Sequence, residues 1–446
     1  MRYNYSQFPQ IEPLYQPRHD IDWKRFPSVI FESDDWGACE NSKDLNTAAK
    51  LAEIWHDLYK KKKHSDSTLE SINDLENLYL TLERFQGVDG LPAVFTAFAC
   101  VGNPDYQAIR ENGFTEYKDI GIDSGVPAGW ERGNLPQKWR EGITRGVFAP
   151  EFHANLHHTS PVLLMERLKA LGKEGEVAKK AFDLSIYSQG VHLPEYDGMN
   201  VREQHKWVKT GVERFVRAVG YIPSVAVTSD AYPITETIWS INGIRVVSLK
   251  NSKLNSGEIV VYGNKPWNNQ DVYTPLGGYN EVDDLVYLSR NVWFEQFLTD
   301  ESQNAEAVLR VSKKRWEENE PAIISTHRIH YASLNKERMN KSLAELKKLL
   351  SGFVMVKGVH FLTSAELGSI YRNGWSIRQI GKRRILRKWS SNSPEIRIKG
   401  KINSITSIPE RRDYSAILDG EFSVCKLPVG DYIIDIQKNE QQNSFS

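Results

Sequence analysis

Two adjacent aspartates end an apolar run near the start of the chain. In SVIFESDDWGACEN (28–41), Val29, Ile30 and Phe31 read as a buried strand that stops at Glu32, Ser33, Asp34 and Asp35. Neighbouring carboxylates repel and resist burial unless a cation or a proton donor lies between them. A plainer use also exists, because Asp and Ser ahead of the helical-looking DLNTAAKLAEIWHDLYK satisfy free N–H groups at a helix start. Taken alone, the stretch favours that plainer use.

The rest of the chain changes the balance, because the same pattern recurs. The short apolar GVFAP (146–150) is followed by EFHANLHH, PSVAVTS runs into Asp230, and PAIIST ends at His327. His153 and His157 are four apart, and on a helix or tight helical turn that spacing puts both imidazoles on one face, able to grip one divalent ion. An aspartate from another strand completes a two-His, one-carboxylate donor set that leaves positions open for water and substrate. His158, next to His157, points elsewhere on this reading and is a supporting or structural residue. His330, three beyond His327, reads the same way.

Residues so far apart in sequence meet only if the fold brings strand ends to one place. Strands are predicted over 91–101 and 146–150, in PSVAVTSDAYP, over 243–251 and from Ala322 to Ile324. Helices are predicted within TLESINDLENLYLTLERF and over about 201–220, 302–318 and 335–351. Strands alternating with helices imply parallel β/α units, and in a β/α barrel the C-terminal strand ends share one face. The expected organisation is an N-terminal extension (1–23), a barrel over 24–371 with an insertion at about 102–146, and a basic linker (372–392). A small β-sandwich-like domain (393–440) and a disordered tail (441–446) follow.

The motifs FESDDWG, EFHANLHH, ISTHRIHY and FLTSAELG together resemble the polysaccharide deacetylases. These are the NodB-homology, carbohydrate esterase family 4-like proteins, and the closer likeness is to the divergent type of bacterial surface-polysaccharide clusters. The resemblance is discontinuous over roughly 24–371. It implies a distorted (β/α)7 barrel in which Asp34 is the catalytic base and His327 the general acid, with Asp35, His153 and His157 holding the metal. The segment after the fourth strand lacks the family's arginine and keeps only Tyr232 and Pro233. Asp230 or Arg290 is the candidate to orient Asp34 in its stead, and Trp36 replaces the glycine that normally follows the aspartate pair.

That set suits hydrolysis of an amide or ester. A divalent ion lowers the pKa of water from 15.7 to about 7 and polarises a carbonyl, while a base and an acid each contribute on the order of 10²- to 10⁴-fold. The expected cofactor is one divalent ion, zinc first, with iron, cobalt, nickel or manganese as alternatives. The expected activity is removal of an N- or O-acyl group from a carbohydrate in surface-polysaccharide biosynthesis, on a sugar nucleotide or a lipid-linked glycan precursor. Two alternatives stay open: a deformylase or other C–N hydrolase of the same fold, and an inactive barrel that binds glycans. Lys plus Arg equals Asp plus Glu at 57 each, so nothing global points to nucleic acid. Three widely spaced cysteines and an N-terminus without an apolar core lead us to expect a cytoplasmic protein with no transmembrane segment. The 12 Trp and 19 Tyr suit stacking on sugar rings, although core packing accounts for most aromatics.

Overall fold

The computed structural model describes residues 2–4, 15–51, 65–157, 159–187, 195–227, 233–249, 252–253, 258–260, 275–296, 303–393 and 395–437. The apolar runs read from the sequence, together with strands over 285–289 and 292–293 that it did not announce, form one continuous, mostly parallel sheet. Its strands are β1 (Ser28–Trp36), β2 (Phe95–Cys100), β3 (Phe148–Ala154), β4 (Val225–Val227), β5 (Val246–Leu249), β6 (Leu285–Ser289), β7 (Val292–Trp293), β8 (Ala322–His327) and β9 (His360–Leu362). The order across the sheet is β6-β5-β4-β3-β2-β1-β8-β7, with a short antiparallel strand (Tyr279–Asn280) beside β6 and with β9 also on β1.

The two ends of that order are one stretch of chain. β6 pairs with β5, and after only Arg290 and Asn291 the chain pairs with β8 as β7. The segment 285–293 therefore closes the sheet into a barrel, and Arg290 lies at the closure. The result is the expected distorted (β/α)7 barrel.

Helices α1 (Ile72–Leu82), α2 (Leu135–Arg145), α3 (Val201–Val219), α4 (Ala305–Glu317), α5 (Lys336–Val354) and α6 (Ser364–Asn373) surround it. Their limits follow local chemistry. α3 opens on a capping box between Asn200 and Glu203, and α6 on one between Thr363 and Glu366. Both end at glycines with left-handed backbone, Gly220 and Gly374. No helix among the described residues is long and apolar enough to cross a membrane.

Side-chain alternation divides the strands between two environments. Val29 and Phe31 of β1 pack outward against the helices with Leu75, Leu78, Phe215 and Leu346. Ile30, Phe98, Val225, Val246, Val286 and Ile323 fill the barrel's lower interior. Above Ile30 the interior turns polar: the register sets Ile30 opposite Ile323, Glu32 opposite Ser325 and Asp34 opposite His327.

The excursion at 102–146 is structured. Its first part is a hairpin of Gly102–Pro104 with Asp119–Gly121, and its last part is α2, which packs on β3 as a crossover helix of the barrel. The basic stretch 372–392, expected to be a linker, is instead a hairpin of β10 (Trp375–Ile380) and β11 (Arg383–Lys388). β11 pairs with a late strand, Gly430–Ile436, within a five-stranded sheet, and a three-stranded sheet faces it. Charge misled the prediction because two of its arginines, Arg378 and Arg387, are buried. Arg387, fully buried, reaches Asp89 and Glu366, and Arg378 donates to the carbonyl of Phe361 at 3.0 Å and to that of Gly146. Asp431 ties the two parts further, accepting from Trp389 Nε1 at 2.7 Å and meeting His360 Nε2 at 2.7 Å. Asp89, Gly146 and His360 lie at the N-terminal ends of barrel strands, so this β unit sits at the face opposite the strand C-termini.

Candidate metal and acid-base site

The site is built on two irregularities in the sheet. Ser33 pairs with Ala97 and Trp36 with Ala99, so β1 carries one residue more than β2 across that interval. Asp35 there adopts left-handed backbone with φ 75°. Aspartate enters that region more readily than most residues, at a cost on the order of 1–3 kcal/mol. Strict alternation would turn one of two consecutive side chains away from the barrel interior. The bulge lets both Asp34 and Asp35 reach the mouth. β3 has the same device, because Phe152 pairs with Ala99 and Ala154 with Cys100, leaving His153 as the extra residue. Gly37, two beyond Asp35, has φ 77°, and a Cβ there would lie 2.5 Å from the Cys100 carbonyl oxygen.

Asp35, His153 and His157 form one cluster. Asp35 Oδ1 lies 2.9 Å from His157 Nε2 and 3.7 Å from His153 Nε2, and the three potential donor atoms lie within 4.8 Å of one another. Tetrahedral ligands about 2.1 Å from an ion stand roughly 3.4 Å apart, so this set fits a divalent ion of the zinc kind. His153 is on a strand and His157 in the bend after it, not on a helical turn as the i, i+4 spacing suggested. Glu195 holds that bend, accepting the Asn155 and Leu156 N–H groups at 2.9 and 2.8 Å.

Electrostatics follow from these contacts. Burial by itself would raise the Asp35 carboxyl, but His157 and His153 hold it well below the usual carboxylate range. His157, buried yet placed between Asp35 and Glu40, is raised to about 9, whereas burial lowers His153. Glu40 Oε2 meets His157 Nδ1 at 3.1 Å, a carboxylate–imidazole contact that fixes the ring with Nε2 toward Asp35.

Asp34 belongs to a second cluster. It is fully buried, and Arg290 donates to both its oxygens at 2.6 and 2.7 Å while giving Nε–H to Glu32 at 2.7 Å. Glu32 also accepts the hydroxyls of Ser248 and Ser364 at 2.6 and 2.7 Å. Two buried carboxylates thus share one guanidinium, whose own pKa they raise against the effect of burial. His327 Nε2 is 3.6 Å from Asp34 Oδ2, and its Nδ1 meets Glu295 Oε1 at 2.8 Å. Glu295 also meets His330 Nε2 at 3.0 Å; burial would raise this carboxyl, but the two imidazoles hold it at about 2. His327 in turn is raised: burial alone would lower it, but the Glu295 charge and hydrogen bond together with the Asp35 and Asp34 charges prevail.

Asp34, Asp35, His153, His157, Arg290 and His327 therefore converge at the C-terminal mouth of the barrel. Asp35, His157 and His327 keep 21%, 16% and 23% of their side chains exposed, enough for a substrate to touch. Trp36 is a packing residue rather than a wall of the site: it is 1% exposed, donates Nε1–H to Ser33 Oγ at 3.0 Å and stands edge-on to Phe148. Asp230, Tyr232 and His158 lie outside the described residues. Glu32, Glu40 and Glu295 were not singled out from sequence. The nearest signal was positional, since Glu32 ends the same apolar run as Asp34 and Glu295 follows Arg290 by five residues.

No protein-family model matches the chain. No curated protein matches it either. Among solved structures it is similar to a protein of Mycobacterium smegmatis assigned as a polysaccharide deacetylase, at 12% identity and TM-score 0.39 over 80% of this chain and 95% of that one. A protein of Pseudomonas aeruginosa PAO1 with the same assignment is 11% identical at TM-score 0.37, over 77% of this chain and 90% of that one. The Puue allantoinase is 9% identical at TM-score 0.39, over 79% of this chain and 93% of that one.

Proposed function

We propose that the protein is a metal-dependent hydrolase that removes an N- or O-acyl group from a carbohydrate in surface-polysaccharide biosynthesis. The observation that carries this reading is the division of labour between adjacent aspartates. Asp35 sits with His153 and His157, while Asp34 sits with Arg290 beside His327.

Asp35, His153 and His157 would hold one divalent ion, which supplies Lewis acidity and lowers the pKa of water. The protein's own groups do the rest. Asp34, held in orientation by Arg290, takes the proton of the attacking water. His327, protonated on Nε2 with Nδ1–H directed at Glu295, gives its proton to the departing nitrogen or oxygen. Asp34 and His327 are neighbours across the β1–β8 register, so base and acid flank one reacting carbon. Glu40 orients His157, and Glu295 keeps His327 in its acid form.

One observation favours the non-catalytic, glycan-binding alternative: both Asp34 oxygens are already engaged by Arg290, which weakens them as proton acceptors. Metal analysis separates the readings. We expect about one equivalent of transition metal in the purified protein, lost in Asp35→Asn and His157→Ala, with acetate released from an acylated sugar only by the loaded wild type. Asn is chosen at 35 because it tolerates the left-handed backbone there. A wild type that neither holds nor takes up zinc would sink the hydrolase reading.

A further inference from the structure

We infer that a cleft beside this centre receives an anionic group, phosphate or carboxylate, carried by the carbohydrate substrate. The inference takes its substrate from the reading above, but its site rests on other residues. The cleft has a volume of about 580 Å³, within the range of roughly 300–1,000 Å³ typical of small-molecule sites, and Lys43, Thr68, Ser71, Arg132, Ser333 and Lys336 line it.

Its walls leave the strands that carry the reacting groups. The chain runs from Asp35 through Gly37 to Lys43 on one side, and from His327 through the short 3-10 helix Arg328–His330 to Ser333 on the other. Residues 65–74 lie between and are tied to both. Ser42 donates its N–H to the Ser67 carbonyl at 3.0 Å, and Leu334 donates to that of Asp66 at 3.0 Å. Arg338 holds both Asp66 carboxylate oxygens at 2.7 and 2.8 Å. The cleft is therefore preformed, which spares a ligand the cost of ordering it.

Three independent features give it a preference for anions. First, α1 and α5 both begin at the cleft, capped by Ser71 and Asn335, and their positive ends attract negative charge. Second, its acidic side chains are already committed. Asp74 accepts from Lys336 Nζ at 2.9 Å and from Ser71, and Asp44 accepts the Thr47 N–H at 2.7 Å. Lys43 and Arg132 form no salt bridge among the described residues, although Asp44 feels the Lys43 charge, and the Arg132 side chain donates there to the carbonyls of Lys43 and Glu131. Third, the Thr68 hydroxyl lines the cleft, is buried and has no hydrogen-bond partner among the described residues. A buried hydroxyl left without a partner is unfavourable, and a ligand oxygen would satisfy it.

Calorimetric titration of the purified full-length chain tests this, with inorganic pyrophosphate, glucuronate and N-acetylglucosamine as probes. We expect an anion to bind more tightly than the neutral sugar, and its binding to weaken as salt is raised. Lys43→Glu should weaken it on the order of tenfold, equivalent to about 1.4 kcal/mol. Thr68→Val, which keeps side-chain shape, should weaken it too, whereas Asp35→Asn should leave it unchanged. The tighter of the two anions identifies phosphate or carboxylate as the group recognised. Failure of both anions to bind overturns the inference, as does loss of binding in Asp35→Asn, which would place the anion at the metal set instead. If the chain binds pyrophosphate through Lys43 but takes up no metal, the hydrolase reading fails and the anion site stands.

Discussion

Arg290 grips Asp34 through two guanidinium nitrogens, at 2.6 and 2.7 Å, from the one segment that closes the barrel. Neither residue is near the other in sequence. Arg290 meets Asp34 because the stretch between β6 and β7 must cross from β5 to β8, and β8 is the neighbour of β1. The closure of the fold and the orientation of the proposed base are thus the same structural event.

Replacing Arg290 should therefore damage stability as well as any activity. Arg290→Ala would leave Glu32 and Asp34 buried together without a counter-ion, and removing one partner of such a group typically costs about 3–5 kcal/mol. Arg290→Lys should recover only part of this, since a single ammonium cannot reproduce three directed N–H bonds to two carboxylates. Denaturant unfolding of the two variants beside the wild type measures the difference. A loss below 1 kcal/mol in Arg290→Ala would show that the two carboxylates simply take up protons.

The barrel was legible in the sequence because its strands are uninterrupted apolar runs with helices between them. Ala322–Ile324 and Val29–Phe31 declare themselves that way. The cluster of Asp35, His153 and His157 was legible because imidazoles and adjacent carboxylates are uncommon at the ends of such runs. Two things could not be read. A bulge is a property of pairing between strands, so no feature of β1 alone announces that Asp35 is the extra residue. Likewise, Arg378 and Arg387 look solvated until their buried partners, Asp89 and Glu366, are known. Glu40 and Glu295 act through imidazoles distant in sequence, and only the fold pairs them.

Glu40 supports His157 without being placed to bind an ion itself. Glu40→Gln keeps the side chain's shape but removes the charge that holds the ring. Loss of such a supporting carboxylate typically weakens metal affinity on the order of 10–100-fold. Competition against a chelator of known affinity should show zinc still bound by Glu40→Gln, but more weakly, and not bound by His157→Ala. Equal affinity in wild type and Glu40→Gln would mean that the backbone of 154–157, held by Glu195, positions the ring unaided.

The Glu236 carboxyl gives a stability signal remote from the site. Burial raises it to about 7, with the Tyr287 hydroxyl donating to it at 2.6 Å. A carboxyl raised in the folded state keeps its proton across pH 4.5–7, where the unfolded chain has released it. The folded state binds more protons in that window, so stability falls as pH rises through it. Glu236→Gln mimics the protonated form and should flatten that part of the stability–pH curve. An unchanged slope would show that Glu236 is not the group responsible.

Glu295 should set where activity is lost on the alkaline side. His327 must be protonated to act as an acid; burial works against this, and the Glu295 charge and hydrogen bond are the largest contributions that, with the Asp35 and Asp34 charges, raise it above the ordinary histidine range. Glu295→Gln removes the charge and leaves an amide oxygen that can still accept Nδ1–H. The imidazolium then gives up its proton at lower pH, so the alkaline limb of kcat against pH should move toward acid while the pH-independent maximum changes less. Histidine resonances followed by NMR through a pH titration would report the His327 ring without reference to turnover. If the limb stays in place while the His327 titration moves, the acid in the reaction is another group. If neither moves, Glu295 serves only to position the ring.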